Sequence, residues 1–330
     1  MTAPRVLITA PFSAPLADSL ADRFAITRTE PSMAGDSLAT MGLESELAEA
    51  RVIVAELDVV DRATLDLAPN LELVISCRAK PANVDLAACT ERGIPVVTTP
   101  GRNAEVTADL SFALLMDTVR HVSRSEAWMR AGNWHEDDVF EPYVKFTSIG
   151  LGGRTLGILG GGAVGRRVLR RALGFGMTVK VYDPFLPTDA FGEDATVVSL
   201  EEAMGCDIVT VHVPLMPATE NLIGATELAW MKPEAFLINA GRAAIINEDA
   251  LMAVLREGRI AGAGFDVFYQ EPLPAGHELF TLDNVTMTPH IAGASEDVVA
   301  EHSRIAAEAL IAWAGGETPR AVANAADLAG

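Results

Sequence analysis

Three side chains set far apart in the sequence, Arg242, Glu271 and His290, are of the types that hold a carboxylate and move a proton. An imidazole titrates near neutrality, so it can give and take a proton at working pH. A carboxylate bonded to it fixes its tautomer and favours its charged form. The pairing is therefore expected to raise the pKa of His290 and keep it protonated for carbonyl reduction. A guanidinium grips a carboxylate by two bonds and stays charged when partly buried. Taken singly, each residue has an ordinary structural use, as a packed His, a surface acid before Pro272 or a cation at a helix start. Context argues for chemistry. Arg242 follows an apolar run ending at Asn239, and ligands collect at strand carboxyl ends in open α/β sheets.

A second feature lies upstream, Thr155-Leu-Gly-Ile-Leu-Gly160-Gly-Gly162-Ala-Val-Gly165. Gly160, Gly162 and Gly165 fit GxGxxG. The first glycine allows a tight turn, the second lets a pyrophosphate approach the backbone, and the third lets helix pack on strand. The phosphate then faces free N–H groups at a helix N-terminus. Alone the motif is weak evidence, because glycine clusters are common in turns. Here Leu156–Leu159 predicts a strand before it and Val164–Leu173 a helix after it. Asp183 ends the next predicted strand, 18 residues after Gly165. A carboxylate there accepts from both ribose hydroxyls and repels a 2′-phosphate, and Pro184 and Phe185 bring no cation. NAD is therefore expected in preference to NADP. A dinucleotide turn with a carboxylate anchor and a proton donor is what hydride transfer on a 2-hydroxy or 2-oxo acid needs.

The elements that must position these groups alternate along the chain. Val6–Ala10, Val52–Ala55, Leu73–Ser76 and Val96–Thr98 read as buried strands, with Ala14–Arg23 and Ser45–Glu49 helical between them. Ala104–His121 is a long apolar-rich helix that connects to a second block, and Trp128–Ile149 reads as irregular. Thr155–Leu159, Thr178–Tyr182, Ile208–His212, Ala235–Asn239 and Gly262–Asp266 follow as parallel strands. The expectation is an α/β protein of two Rossmann-like doubly wound parallel sheets with a cleft between them. Helix Glu296–Ala314 is expected to pack back on the first block, so the substrate domain is discontinuous, 1–102 with 294–330, around a nucleotide domain 103–293.

Composition narrows the class. At 330 residues the chain suits two domains, and 49% apolar residues with 21% charged predict a folded protein rather than a disordered one. A net charge of -20 repels phosphate backbones and anionic membranes, so nucleic acid and lipid are not expected partners. Any anionic substrate must meet a local basic site. Cys77, Cys89 and Cys206 are scattered without metal-ligand spacing, which reads as reduced thiols in a cytoplasmic protein with no metal site. The start of the chain suits a first strand rather than a signal peptide, and no stretch approaches the roughly 18 apolar residues of a membrane helix.

These residues together resemble the D-isomer-specific 2-hydroxyacid dehydrogenase family, which includes D-3-phosphoglycerate dehydrogenase, glyoxylate/hydroxypyruvate reductase and D-lactate dehydrogenase. Four segments carry the resemblance, from about Leu73 to His290. The first is Asn83-Val-Asp85 through Gly93-Ile-Pro-Val96 with Pro100-Gly-Arg-Asn103; the second is Gly157–Gly165 with Tyr182-Asp183-Pro184. The third runs from Val211-His-Val-Pro214 through Met231 to Asn239-Ala-Gly-Arg242; the last joins Phe265-Asp266-Val267, Glu271-Pro272-Leu273 and Thr288-Pro289-His290. The resemblance implies His290 as acid/base, Glu271 as its partner and Arg242 as carboxylate anchor and carbonyl polariser. It implies that Asp183 holds the adenosine ribose, that Asp266 contacts the nicotinamide amide, and that the chain forms a homodimer through the NAD-binding domains. Ala163, Val164, His212, Val213, Pro214 and Thr219 join the candidate cofactor contacts, as do Ala240, Gly241 and Gly293. Formate dehydrogenases of the superfamily are less similar, since they pair the His with Gln where this chain has Glu271.

The chain departs from the family in three places. The glycine-rich loop that offers backbone amides to the substrate reads Cys77-Arg78-Ala79-Lys80-Pro81-Ala82-Asn83. Arg78, Ala79 and Lys80, with Asn103, are the candidate substrate contacts in this region. Either the two cations meet an anionic substrate group, such as a second carboxylate or a phosphate, or they point to solvent beside a turn. The usual Arg-Gly is Arg242-Ala243, and the usual Val-Ala-Glu helix start is Thr107-Ala-Asp109. Phosphite or a phosphorylated sugar acid, read by Lys80 and Arg78, is an alternative substrate. An NAD(H)-sensing corepressor, a class that also resembles this family, is an alternative role. Loops Pro11–Ala14, Leu57–Val59 and Glu136–Phe146 bear on pocket size, and Trp134, Phe140 and Tyr143 either close a neighbouring subunit's pocket or pack the dimer. An end at Gly330 leaves no room for a serine-sensing domain, so feedback through one is not expected.

Overall fold

A computed structural model describes residues 3–30 and 35–328. The chain divides into two compact units, Met1–Asn103 with Ser295–Gly330, and Ala104–Ala294.

The first unit is built on five parallel strands, β1 (Arg5–Ile8), β2 (Ala25–Arg28), β3 (Val52–Ala55), β4 (Leu73–Ser76) and β5 (Val96–Thr98). Their order in the sheet is β2-β1-β3-β4-β5. Near-continuous apolar runs are what a parallel sheet covered on both faces requires. Alternate residues accordingly serve two cores. Val6, Ile8, Val54 and Ile75 pack on one face with Ala306, Ala307 and Leu310 of the helix Glu296–Ala314. Leu7, Ile53, Val74 and Val96 pack on the other face with Leu47, Leu65 and Ala88. Beyond β5 the segment near Val322 bridges antiparallel to Val97, and Ala323 N–H donates to Val96 O. That pairing covers an otherwise open edge.

The second unit holds seven parallel strands, β6 (Thr155–Leu159), β7 (Thr178–Tyr182), β8 (Thr196–Val197), β9 (Ile208–Val211), β10 (Phe236–Asn239), β11 (Gly262–Phe265) and β12 (Val285–Met287). They lie in the order β12-β11-β10-β9-β6-β7-β8. The register aligns Tyr182, Leu159, Val211, Asn239, Phe265 and Met287 across neighbouring strands. One face packs on the helix Ala104–Arg120 through Ala108, Phe112, Leu115 and Val119. The other packs on the helix Glu248–Arg256 through Leu251, Val254 and Leu255.

The strands expected from sequence form within one residue of the expected limits, except the first, which stops at Ile8, two residues before Ala10. There the amides of Thr9 and Ala10 both turn onto Val54 O. The stretch 128–149 is not irregular throughout. A helix covers Val122–Arg130 and another Glu141–Lys145, with a 3₁₀ turn at Glu136–Asp138. Neither helix has a buried residue, so neither carries the core-facing stripe that betrays a helix in sequence. Among the described residues no helix is long and apolar enough to cross a membrane.

Gly157 shows how closely the layers meet. A Cβ there would fall 2.1 Å from Ala203 O, a backbone atom of the helix Leu200–Met204. Replacing Gly157 with Ala is expected to force helix and strand apart and to cost at least the 1–3 kcal/mol typical of overpacking. Urea denaturation reads this, and an unchanged midpoint would contradict it.

Candidate active site

Register places the site. The residue following each in-register strand end is Asp183 after β7, Gly160 after β6, His212 after β9, Ala240 after β10, Asp266 after β11 and Thr288 after β12. Strand order reverses between β6 and β9, the position where open α/β sheets take ligands.

The glycine turn fits a dinucleotide. The helix Ala163–Gly174 starts at Gly162 with no side chain capping it, so its first amides are left for an anion. A Cβ on Gly162 would meet nothing within 4 Å, which leaves the approach to those amides open. A Cβ on Gly165 would fall 2.0 Å from Gly160 O, so the third glycine is required by packing alone. Asp183 is half-buried and accepts from the amides of Gly161 and Phe185, each at 3.0 Å. Two of its roughly four acceptor positions remain for hydroxyls. His212 is only partly covered as a residue, but its ring is packed in and bonded to Thr210 Oγ1 at 2.9 Å, and that burial pushes the imidazole down to about 4. Thr219 Oγ1 donates to Pro214 O at 2.6 Å and so closes the loop after β9. Val213 and Ala240 are buried, and Gly293 is exposed.

The second half of the site is the hydrogen-bonded pair His290 and Glu271, with Arg242 and the groups that support them. His290 Nδ1 and Glu271 Oε2 stand 2.7 Å apart. Glu271 Oε1 accepts from the Phe268 amide at 2.9 Å. Burial would raise the Glu271 carboxyl, but His290, the Phe268 amide and the charge of Arg242 outweigh it and hold the group below the usual carboxylate range. Glu271 is thus an ionised acceptor for an Nδ1 proton, which leaves Nε2 of His290 to exchange a proton with a substrate. Arg242 is exposed, and its Nη1 donates to Gly241 O at 2.7 Å.

Sequence reasoning missed what holds these groups. Buried Asn239 clamps the turn that carries Arg242, accepting from Gly241 N at 2.9 Å and donating to Arg242 O at 3.0 Å. Asp266 is 0% exposed and accepts from Thr288 Oγ1 at 2.7 Å, Ile291 N at 2.9 Å and Ala292 N at 2.8 Å. Its bonds straddle His290, which sits in the left-handed region at φ 53°. Such a backbone persists only where its surroundings over-determine it. One acceptor position of Asp266 is left. Thr107, which replaces the family's Val, donates to Ala292 O at 3.3 Å and so ties the same loop to the helix Ala104–Arg120, while Asp109 pairs with Arg171.

The expected substrate contacts Arg78, Ala79, Lys80 and Asn103 belong to the first unit. Arg78 is half-buried and the other three are exposed. The family's Asn-Val-Asp is structural here. Asn83 is buried, accepts from Ser76 Oγ at 2.8 Å and donates to Asp58 O at 3.0 Å, while Asp85 caps the helix Leu86–Glu91. Asp266→Asn would set an amide against three donors. It is expected to cost about 1–3 kcal/mol in denaturant unfolding, as for a buried group stripped of its partner. A variant as stable as the parent would remove the bracing role.

Comparison with known proteins gives the family. Residues 112–292 match the family described as D-isomer specific 2-hydroxyacid dehydrogenase, NAD binding domain. The chain is 40% identical over 269 residues to the glyoxylate reductase of Thermococcus litoralis, covering 81% of each protein. Among solved structures, the NADPH-dependent glyoxylate/hydroxypyruvate reductase of Sinorhizobium meliloti, in complex with citrate, is 30% identical at a TM-score of 0.72, covering 94% of each chain. D-lactate dehydrogenase from Aquifex aeolicus, complexed with NAD and lactic acid, is 25% identical at 0.68, covering 95% of this chain and 96% of that one. The chain belongs to the D-isomer-specific 2-hydroxyacid dehydrogenase family, as an NAD-dependent oxidoreductase that interconverts 2-hydroxy and 2-oxo acids.

Proposed function

We propose that the protein reduces a small 2-oxo acid to its D-2-hydroxy acid, with His290 as acid, Glu271 as its partner and Arg242 as carboxylate anchor. The bond of 2.7 Å between His290 and Glu271, on the sheet edge that carries the glycine turn, is the observation that supports this most. The guanidinium of Arg242 takes the substrate carboxylate and polarises the neighbouring carbonyl. His290 Nε2 gives its proton to the carbonyl oxygen, and Glu271 stabilises the charge on the ring and holds the tautomer. The dinucleotide, held by the amides at Gly162–Gly165 and by Asp183, supplies the hydride when bound. Asp266 keeps His290 in place and has one acceptor position for the nicotinamide amide. Oxidation runs the same proton transfer backwards.

Similarity to glyoxylate reductases makes glyoxylate and hydroxypyruvate the first substrates to test. Some relatives are NADPH-dependent, but in this chain the half-buried carboxylate of Asp183 favours NADH. We expect His290→Ala to lower turnover by a factor of about 100 or more, the scale of lost acid/base catalysis, while NADH binding by fluorescence changes little. Unaltered turnover would remove His290 from the mechanism.

The homodimer belongs to the same proposal. Phe140, Tyr143 and Val144 are 70%, 77% and 82% exposed and lie close together in the stretch after the helix Val122–Arg130. Large apolar side chains concentrated in one exposed segment mark an interaction surface. Val144→Arg is expected to shift the protein from dimer to monomer in analytical ultracentrifugation. A parent protein that sediments as a monomer would defeat the assignment.

A further inference from the structure

Glu271 takes its direction from the segment 267–274, which follows β11 within the second unit. Little backbone bonding holds that segment. Among the described residues the amides of Tyr269, Gln270, Glu271 and Leu273 donate no hydrogen bond, and the Phe268 amide is taken by the carboxylate of Glu271. Packing beneath the segment is incomplete too. Phe268 and Leu273 rest against the buried cluster that includes Leu251 and Leu255, yet with Tyr269 they also line a cavity shared with Leu251, Met252 and Phe265. A wall beside a void loses the dispersion contacts that would otherwise fix it.

The phenol of Tyr269 supplies what the segment lacks. Its hydroxyl donates to Ile246 O at 2.8 Å. Tyr269 keeps 38% of its surface exposed, but burial at its phenol, with the charge of Glu248 beside it, pushes that group's pKa up, so the hydroxyl stays protonated and can donate. The acceptor is fixed. Ile246 is 1% exposed, and its segment pairs with Ile223, whose amide donates to Ile245 O at 3.0 Å and whose carbonyl accepts from Asn247 N at 2.8 Å. Apart from the bond between Glu271 and His290, the phenol makes the one hydrogen bond that joins residues 268–273 to the rest of the unit among the described residues.

We infer that Tyr269 is a positioning residue for the reduction, holding the carboxylate of Glu271 against His290 by tying its segment to the backbone at Ile246. The inference rests on the proposed roles of Glu271 and His290. A carboxylate that orients an imidazole works only while it is itself held. The turn of Arg242 has its own clamp in Asn239, so loss of the phenol bond leaves the carboxylate anchor in place.

Steady-state NADH oxidation with glyoxylate or hydroxypyruvate, in the full-length protein and in Y269F, tests it. Removing the hydroxyl is expected to lower kcat about 3- to 10-fold, the factor that one neutral hydrogen bond controls, while KM for the 2-oxo acid moves by less than about twofold. In an E271Q background the same change is expected to lower kcat by less than about twofold further, because Tyr269 acts through Glu271. Y269L, which also lacks the hydroxyl, stands in if Y269F does not fold. An unchanged kcat, a KM raised with kcat intact, or the full loss repeated in E271Q overturns the assignment. If the parent protein turns over neither substrate, the proposed function fails on its own. In that case, or if E271Q is too slow to measure, titration of His290 Cε1–H followed by NMR decides the role of Tyr269. Glu271 is the acceptor at His290 and Arg242 the cation that acts on that carboxylate, so a loosened Glu271 moves the midpoint to lower pH. A lower midpoint in Y269F than in the parent supports the role, and equal midpoints overturn it.

Discussion

Parallel strands share one direction, so all their carboxyl ends fall on one edge, and the candidate cofactor and proton-transfer groups of the second unit follow strand ends on that edge. The aligned row from Tyr182 to Met287 sets the spacing of Asp183, Gly160, His212, Ala240, Asp266 and Thr288 before any side chain is chosen. Neighbouring strands lie about 4.8 Å apart, so groups from adjacent ends meet without long loops. Strand direction and register thus do most of the positioning, and the loops add the final angles.

Those angles come from buried polar groups acting on backbone. Asn239 ties the turn at Arg242, and Asp266 ties the turn at His290. Each makes its bonds where water is excluded, so failing to make them would be costly. Arg242, Glu271 and His290 themselves stay exposed. The first unit holds a comparable cluster, in which Arg102 donates to Glu56 and lies against His302, itself bonded to Pro11 O.

Much of this was legible in the sequence because it depends on local pattern. The apolar runs of β3, β4, β6 and β7, and the glycines at 160, 162 and 165, each announce an element through a few adjacent residues. Short strands such as β2 and β12 carry half-buried or exposed side chains and so lack the apolar run that marks a buried strand. The helix Val122–Arg130 was hidden for a related reason, having no buried face. The supports of the site were illegible because they act across distance. Asp266 and Thr107 meet a loop about 25 and 185 residues away, and Arg102 meets His302 across 200. One signal did exist for Asn239, a polar residue ending an apolar strand beside Ala240-Gly241.

The sharing of the first core between the two ends of the chain has a consequence for biosynthesis. Ala306, Ala307 and Leu310 complete the face formed by Val6, Ile8 and Val54, while residues 104–294 between them form a unit of their own. At roughly 5–20 residues per second, a ribosome takes on the order of 10–40 s to add that intervening stretch. The second unit can finish folding in that time, whereas the early strands wait with one apolar face uncovered. Nascent chains of this protein therefore pass through an interval in which that face lacks the helix that covers it in the finished fold.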